Sequence, residues 1–334
     1  MKILIVTGIY PPEIGGPAEY ARNLKEVWVN RGDYVSLKVF SKFKNIPLGI
    51  RHIIFFFYII PSVVTADYIF TLDAFSAGVV TVAAKLFNKK VIFRTGGDVL
   101  WELYVERTGD MVLLKDFYKT RLHKLSTKEK LIFSLMKWAL QNMSAVIWST
   151  KWQKDIFLQP YGLQKQNHFV IDNYYGPKDY GVDTKEKIFI ASGRSHKLKN
   201  IDLLIQVFQD EKIKESGVIL DTQTVPPSEF FEKIKGSYAV ISVSLSEISP
   251  NTIISAISAG KPFIVTEENG LKDRIGDVSI VINPLDIEDI KQKVLWLADP
   301  INYESQKRKL DSFNFVHSWE SIAEEYITVY NSIK

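Results

Sequence analysis

The sequence predicts an α/β protein with two Rossmann-like domains, each a parallel sheet covered by helices on both faces. Three observations predict it. Short apolar runs alternate with helical segments from Lys2 to Ile171. The alternation restarts at Ile188, after the polar, turn-rich stretch Asn173–Lys185. The 334 residues are too many for one ordinary core and suit two domains, 1–174 and 175–313.

The elements follow in order. Lys2–Thr7 reads as a buried strand, and the Gly/Pro-rich loop Gly8–Gly16 follows it. Pro17 suits the first turn of a helix that carries Ala21, Leu24, Val27 and Trp28 and ends near Gly32. Strands are expected at Tyr34–Phe40, Tyr68–Leu72, Val91–Arg94, Ala145–Trp148 and His168–Ile171. Helices are expected at Ser76–Phe87 and Lys128–Gln141. The apolar run Ile53–Ile60 predicts a buried helix that Pro61 stops, well short of the roughly 20 residues a membrane span requires. A membrane-contacting surface is the competing reading of that run. In the second half, strands are expected at Ile188–Ala191, Val218–Leu220, Ala239–Val243, Phe263–Val265 and Ser279–Ile282. Helices are expected at Ile201–Phe208, Ser228–Ile234, Asn251–Ala259 and Ile287–Leu297, with a last one near Trp319–Ile333.

Composition narrows the chemistry. The absence of cysteine excludes disulfide frameworks, thiolate metal sites and cysteine nucleophiles. Five histidines without ligand spacing give no metal site. The net charge of +4, with no basic helix or aromatic ladder, does not point to a nucleic-acid partner. The Met1–Thr7 run is too short for a signal peptide, and the expected compartment is the cytoplasm.

Ligands of doubly wound sheets sit beyond the carboxyl ends of the strands, and the unusual loops of this chain lie there. Gly15 and Gly16 let backbone approach a ligand before a helix N-terminus, or simply turn the chain. They are not the G-x-G-x-x-G dinucleotide fingerprint. The run Gly193-Arg194-Ser195-His196-Lys197-Leu198-Lys199 puts cations between a strand and a helix. Arg194 and Lys199 suit a diphosphate, and a solvated basic loop is the plainer reading. Ser246-Glu247-Ile248-Ser249-Pro250-Asn251 puts a carboxylate just before a helix that Ser249 and Pro250 start and whose free N–H groups attract a phosphate. Glu247 then sits where a sugar hydroxyl can bind, and an exposed acid favoured by the helix dipole alone is the plainer reading. Asp98, after Arg94-Thr95-Gly96-Gly97, either caps the next helix or lines the ligand site, and Asp73 has the same two readings. A basic stretch from Lys115 through Lys119, Arg121, Lys124, Lys128 and Lys130 fits anionic lipid headgroups, a phosphorylated acceptor or a solvated helix face.

Together these motifs resemble the retaining glycosyltransferases of family 4, which have the GT-B fold. The resemblance spans nearly the whole chain, from Gly15-Gly16 through Gly193-Arg194 … Lys199 to Ser246-Glu247 … Pro250-Asn251 … Gly260-Lys261-Pro262. It implies two domains facing a central cleft, with the C-terminal helix, within 314–334, crossing back to the first. It implies that Arg194 and Lys199 hold the donor diphosphate, with Gly193 in their loop. Glu247 would contact the donor sugar. Gly15 and Gly16 would close over the diphosphate, and Asn251 and Thr252 would lie at the helix start beside the phosphates. Asp98 matches the polar residue after the family's cleft histidine.

Three departures stand out. The second acid of the family's motif is replaced by Ser255, a neutral partner for the nucleotide ribose. Gly96 stands where the cleft histidine falls. The second domain is compact, with one strand where two are usual, and Thr222–Val225 is the candidate nucleobase segment. The implied function is retaining, metal-independent transfer of a hexose from a nucleotide-diphosphate sugar to a glycan or lipid-linked acceptor. No cofactor is expected, and peripheral contact at the inner face of a membrane is. A non-catalytic nucleotide-sugar binder or partner subunit, and a sugar-nucleotide epimerase, are the alternatives.

Overall fold

The structure, a computed structural model, describes the chain except for residues 164–166, 183, 185, 193–195 and 334, and except for the side chains of Leu48, Pro227 and Ser228. In chain order the elements begin β1 (Lys2–Thr7), α1 (Gly16–Asn30), β2 (Tyr34–Val39), α2 (Leu48–Thr65), β3 (Tyr68–Thr71), α3 (Ala74–Leu86) and β4 (Ile92–Thr95). There follow α4 (Val99–Thr108), α5 (Leu114–Thr120), α6 (Thr127–Asn142), β5 (Ala145–Trp148), α7 (Lys151–Tyr161) and β6 (Asn167–Val170). The second half holds β7 (Lys187–Ile190), α8 (Ile201–Phe208), α9 (Glu211–Glu215), β8 (Val218–Asp221), α10 (Pro227–Lys235), β9 (Ala239–Ser242) and α11 (Asn251–Ser258). It ends with β10 (Phe263–Thr266), α12 (Lys272–Ile275), β11 (Ile280–Ile282), α13 (Ile287–Ala298), α14 (Pro300–Asp311) and α15 (Trp319–Ser332).

The chain divides into two units. The first comprises Met1–Leu100, Leu125–Tyr174 and His317–Lys334; the second comprises Trp101–Lys124 and Tyr175–Val316. The first unit is built on a parallel sheet of order β2-β1-β3-β4-β5-β6. From β1 the chain moves one way to β2 and then back past β1 to β3, so right-handed crossovers put α1 on one face and α2, α3, α6 and α7 on the other. The central strands β1, β3, β4 and β5 are buried on both faces, which is why they are mostly apolar, with Arg94 of β4 a buried exception. Ile3 and Ile5 of β1 pack with Leu24 and Trp28 of α1 and with Ile322, Tyr326 and Tyr330 of α15. The last helix thus completes the core that the first strand begins, and Tyr20 meets Trp319 edge-on at 5.0 Å.

Helix α2 departs from expectation. The sequence ends it at Pro61, yet it runs to Thr65 with Pro61 inside. Pro61 and Phe57 lie on its exposed side, where a carbonyl that lacks its amide partner can be hydrated. Nor is the helix buried all round: Phe55, Ile59 and Val63 face the core, while Ile53 and Phe57 are exposed.

The second unit has a parallel sheet of order β11-β10-β9-β7-β8. One face packs Phe189, Ile241 and Ile264 against Leu204 of α8 and Ile290 and Val294 of α13. The other packs Val240, Phe263 and Val265 against Ile253 and Ile257 of α11 and Ile234 of α10. The segment Trp101–Lys124 is fixed to this unit. The Leu114 amide donates to Ser246 Oγ at 2.9 Å, and Lys115 pairs with Glu268.

Candidate functional site

The strand order of the second unit reverses between β7 and β9. From β7 the chain goes to β8 on one side, then returns to β9 on the other. A crevice opens beyond the carboxyl ends of two such strands, because their connections leave in opposite directions. The loops after β7 and β9 carry Lys199 and Glu247, and this is why residues 48 positions apart meet: Lys199 Nζ lies 2.5 Å from Glu247 Oε1. Their side chains are 20% and 15% exposed, shielded from bulk water yet open on one side.

Each partner is held from behind. Lys199 ends a short 3-10 turn, Lys197–Lys199, followed by Asn200 in the left-handed region (φ 56°), whose side chain donates to the Pro284 carbonyl at 2.6 Å. The Leu245 amide donates to the Leu198 carbonyl at 2.9 Å, tying the two loops together. Glu247 is fixed through its backbone, its amide donating to Glu268 O at 2.8 Å and its carbonyl accepting from Gly270 N at 2.9 Å. Ser244 Oγ donates to the same Oε1 at 2.7 Å. Both side-chain donors thus converge on Oε1, and among the described residues none donates to Oε2. A carboxylate so placed can accept a ligand hydroxyl, while the lysine ammonium has donors to spare for a phosphate.

The Trp101–Lys124 segment braces the loop from its far side. Glu106 Oε1 accepts from the Lys197 amide at 2.8 Å, Lys197 Nζ donates to the Glu106 carbonyl at 2.9 Å, and His196 Nδ1 lies 3.5 Å from Glu106. Asp110 stiffens the segment by accepting from Arg121 Nε at 2.6 Å and from Tyr104 OH at 2.9 Å. The Arg121 bond is the main reason its carboxyl is held below the usual range. Lys115 is held above its ordinary range chiefly by its bond to Glu268. Sequence reasoning gave Glu106 no role, since nothing local marks a contact spanning 91 residues.

Helix α11 starts at Asn251, four residues after Glu247, with Pro250 as its cap residue and no side-chain cap. Its first-turn amides provide the positive end of a helix dipole beside Lys199 and Glu247 in sequence and sheet order. Ser249 and Thr252 are half-buried, and Asn251 is exposed. Ser255 lies one turn along, on the same side as Asn251 and Thr252, while Ile253, Ile254, Ala256 and Ile257 face the core. Thr222 follows β8, the neighbour of β7 on the other side. Gly193 and Arg194 lie outside the described residues. Among the described residues, no cluster of three or more His, Asp or Glu side chains could hold a metal ion.

The first unit holds the remaining candidates. Gly15 caps α1, and its carbonyl accepts from the amides of Ala18 and Glu19 at 3.1 and 3.2 Å. Its backbone is extended, so conformation alone does not demand glycine, but a Cβ there would lie 2.7 Å from Ile9 Cδ1. Gly16 opens the helix. Asp98 is buried and accepts from the Leu100 amide at 3.1 Å in the first turn of α4, the capping contact. Asp73 caps α3, accepting from the amides of Phe75 and Ser76 at 2.7 and 2.9 Å and from the Ser76 hydroxyl. Burial pushes its carboxyl up, and the hydrogen bonds offset this in part. Gly96 has a steric reason: a Cβ there would lie 3.1 Å from the Arg94 guanidinium. That guanidinium sits over the Tyr20 ring at 3.8 Å and donates to Ser149 Oγ at 3.0 Å and Asn173 Oδ1 at 2.5 Å.

No protein-family model matches the chain. No curated protein matches it in sequence. Solved structures do match it over its whole length. A sucrose-phosphate synthase from Thermosynechococcus elongatus superposes with a TM-score of 0.75 at 14% identity, covering 100% of this chain and 99% of the other. The catalytic domain of starch synthase IV from Arabidopsis thaliana, bound to ADP and acarbose, gives 0.68 at 11% identity, with 99% of both chains covered. HepE from Anabaena, in complex with UDP-glucose, gives 0.62 at 13%, covering 99% of this chain and 98% of that one. With its two parallel sheets, its reversal of strand order in each, and a last helix that returns to the first unit, the chain has the GT-B fold.

Proposed function

We propose that this chain is a glycosyltransferase that moves a hexose from a nucleotide-diphosphate sugar to a glycan or lipid-linked acceptor, with retention at the anomeric carbon and without a required metal. The observation that carries the reading is the meeting of Lys199 and Glu247 at the strand-order reversal, next to the uncapped start of α11. The fold is shared with structures that contain UDP-glucose or ADP, which supports a nucleotide-sugar donor. In this reading Lys199 and the α11 amides stabilise the charge that grows on the leaving diphosphate, and such preorganised donors are worth several kcal/mol in a shielded site. Glu247 Oε2 accepts a sugar hydroxyl and fixes the ring. The acceptor oxygen attacks the anomeric carbon as the bond to phosphate breaks. The electron pair leaves on the phosphate oxygen, which takes the acceptor proton. Ser255 offers the nucleoside a neutral hydroxyl. Arg194 joins Lys199 on the diphosphate, Thr222 lies toward the base, and Gly15, Gly16 and Asp98 belong to the acceptor-side unit.

The test is a panel of UDP-, GDP-, ADP- and dTDP-sugars, read by thermal shift and by released nucleoside diphosphate across glycan and lipid-linked acceptors. One donor class should raise Tm and be consumed. Glu247→Ala should lower kcat by at least about a hundredfold with Tm unchanged. Full turnover by that variant would remove Glu247 from the mechanism. Donor binding without release, for every acceptor, would identify a non-catalytic binder, the reading that Ser255 favours. An epimerised donor, with no acceptor consumed, would identify an epimerase.

A further inference from the structure

Helices α2, α3 and α6 lie side by side on one face of the first unit's sheet, and each turns an apolar stripe to solvent. On α2 the exposed residues include Ile53 and Phe57, the latter 66% exposed. Val82 and Leu86 continue the stripe on α3, and Leu135 and Trp138 on α6. These positions recur at helical spacing on the outward sides, while the inward sides pack on the sheet. Soluble proteins rarely leave an apolar surface this continuous uncovered.

The charge pattern around it selects the occupant. Across the three helices the one carboxylate is Glu129, and it is buried in the Ser126 capping box at the start of α6. The exposed charges are all cationic: Lys85 at the end of α3, Lys128 and Lys130 on the first turn of α6, and Lys44 ahead of α2. Apolar stripes rimmed by lysine and free of exposed acid complement an anionic lipid surface. Among the described residues no helix is long and apolar enough to cross a membrane, so contact would be lateral. The earlier part of the basic stretch does not belong to this surface, since Lys115 and Arg121 are committed to Glu268 and Asp110 within the second unit.

We infer that the α2–α3–α6 face docks flat on an anionic bilayer, with Phe57, Leu135 and Trp138 entering the headgroup boundary and the lysines meeting lipid phosphates. The inference does not rest on glycosyl transfer and is tested without it. The full chain is floated with phosphatidylcholine vesicles that contain or lack phosphatidylglycerol. It should float with the anionic vesicles, and brominated lipid should quench a fluorescence component that Trp138→Phe removes. Phe57→Asp and the pair Lys128→Glu and Lys130→Glu should each weaken binding by about tenfold or more, while Ile301→Asp, an exposed change on α14, should leave it intact. Circular dichroism checks folding. The lysine pair touches no core side chain, so it decides the matter if Phe57→Asp fails to fold. Failure to float, equal binding to neutral vesicles, or undiminished binding by both variants would overturn the inference. So would a dimer in gel filtration that Phe57→Asp splits while vesicles bind neither form, because the face would then be a contact between copies of this chain.

Discussion

Glu106 touches the candidate site only through the loop residues Lys197 and His196, so in the proposed reaction its removal should loosen donor binding without touching the chemistry. Glu106→Ala deletes the acceptor of the Lys197 amide, a bond worth about 1 kcal/mol net. The expected result is a KM for donor several-fold higher, kcat nearly unchanged and Tm unaltered; Glu106→Gln, which keeps an acceptor oxygen, should restore KM. A fall in kcat alone would contradict a positioning role. Asp73 gives a prediction about stability. Its carboxyl is raised above its ordinary 3.8, first by burial. With the folded value above the unfolded one, its contribution is fully present below the unfolded value and is lost as pH rises through the folded value. Asp73→Asn keeps an oxygen for the Phe75 and Ser76 amides but never ionises. The variant should melt above the wild type at pH 7 to 8, and the gap should close toward about pH 3, where both side chains are neutral. A gap that widened at low pH would reverse the assignment.

At the scale of elements, Arg94 ties together the carboxyl ends of β4, β5 and β6 through Ser149 and Asn173. Asn173→Ala leaves a buried guanidinium short of an acceptor and should cost about 1 to 3 kcal/mol in urea unfolding. Gly96→His, which would restore the residue typical of the resembled family, presses on the same guanidinium and should also destabilise. The elements most legible in the sequence were the inner strands. Each is covered on both faces, so β1, β3, β5 and β10 are apolar almost without interruption. Helices that bury little were harder to read. α14 buries Tyr303, Gln306 and Leu310 amid charged residues, and α7 contains Pro160 and is best marked by its ends, Thr150 at the start and left-handed Gly162 at the close. Pro61 misled for the same reason, since a proline on a solvent-facing side need not end a helix. Of the candidate site, residue types and strand ends were legible. The Lys199–Glu247 pair and the Glu106 brace needed the sheet order, because no local pattern encodes a partner on another loop.

At the scale of the molecule, the chain passes between the two units four times, after Leu100, Lys124, Tyr174 and Val316. Neither unit is therefore one stretch of sequence. A fragment ending at Tyr174 contains all six strands of the first sheet but lacks α15, whose Ile322, Tyr326 and Tyr330 complete the core. Burial of each such side chain is worth about 1.5 to 3 kcal/mol, and the three together rival the whole stability of an ordinary domain. The fragment should be insoluble or molten by near-ultraviolet circular dichroism, and adding residues 317–334 through a flexible linker should restore a cooperative melt. A well-folded 1–174 fragment would show that α15 is dispensable.

The same helix sets an order of events during synthesis. Chains emerge from the ribosome first residue first, and domains usually settle in that order. Here β1 is made before the other strands of both sheets, yet α1 covers its Ile3 and Ile5 face only in part until Tyr326 and Tyr330 have emerged. The second unit, begun later and complete by Val316, can close while the first still waits. The first-made strand of the two sheets is thus among the last to be fully covered, and holding chaperones would find a long-lived target there.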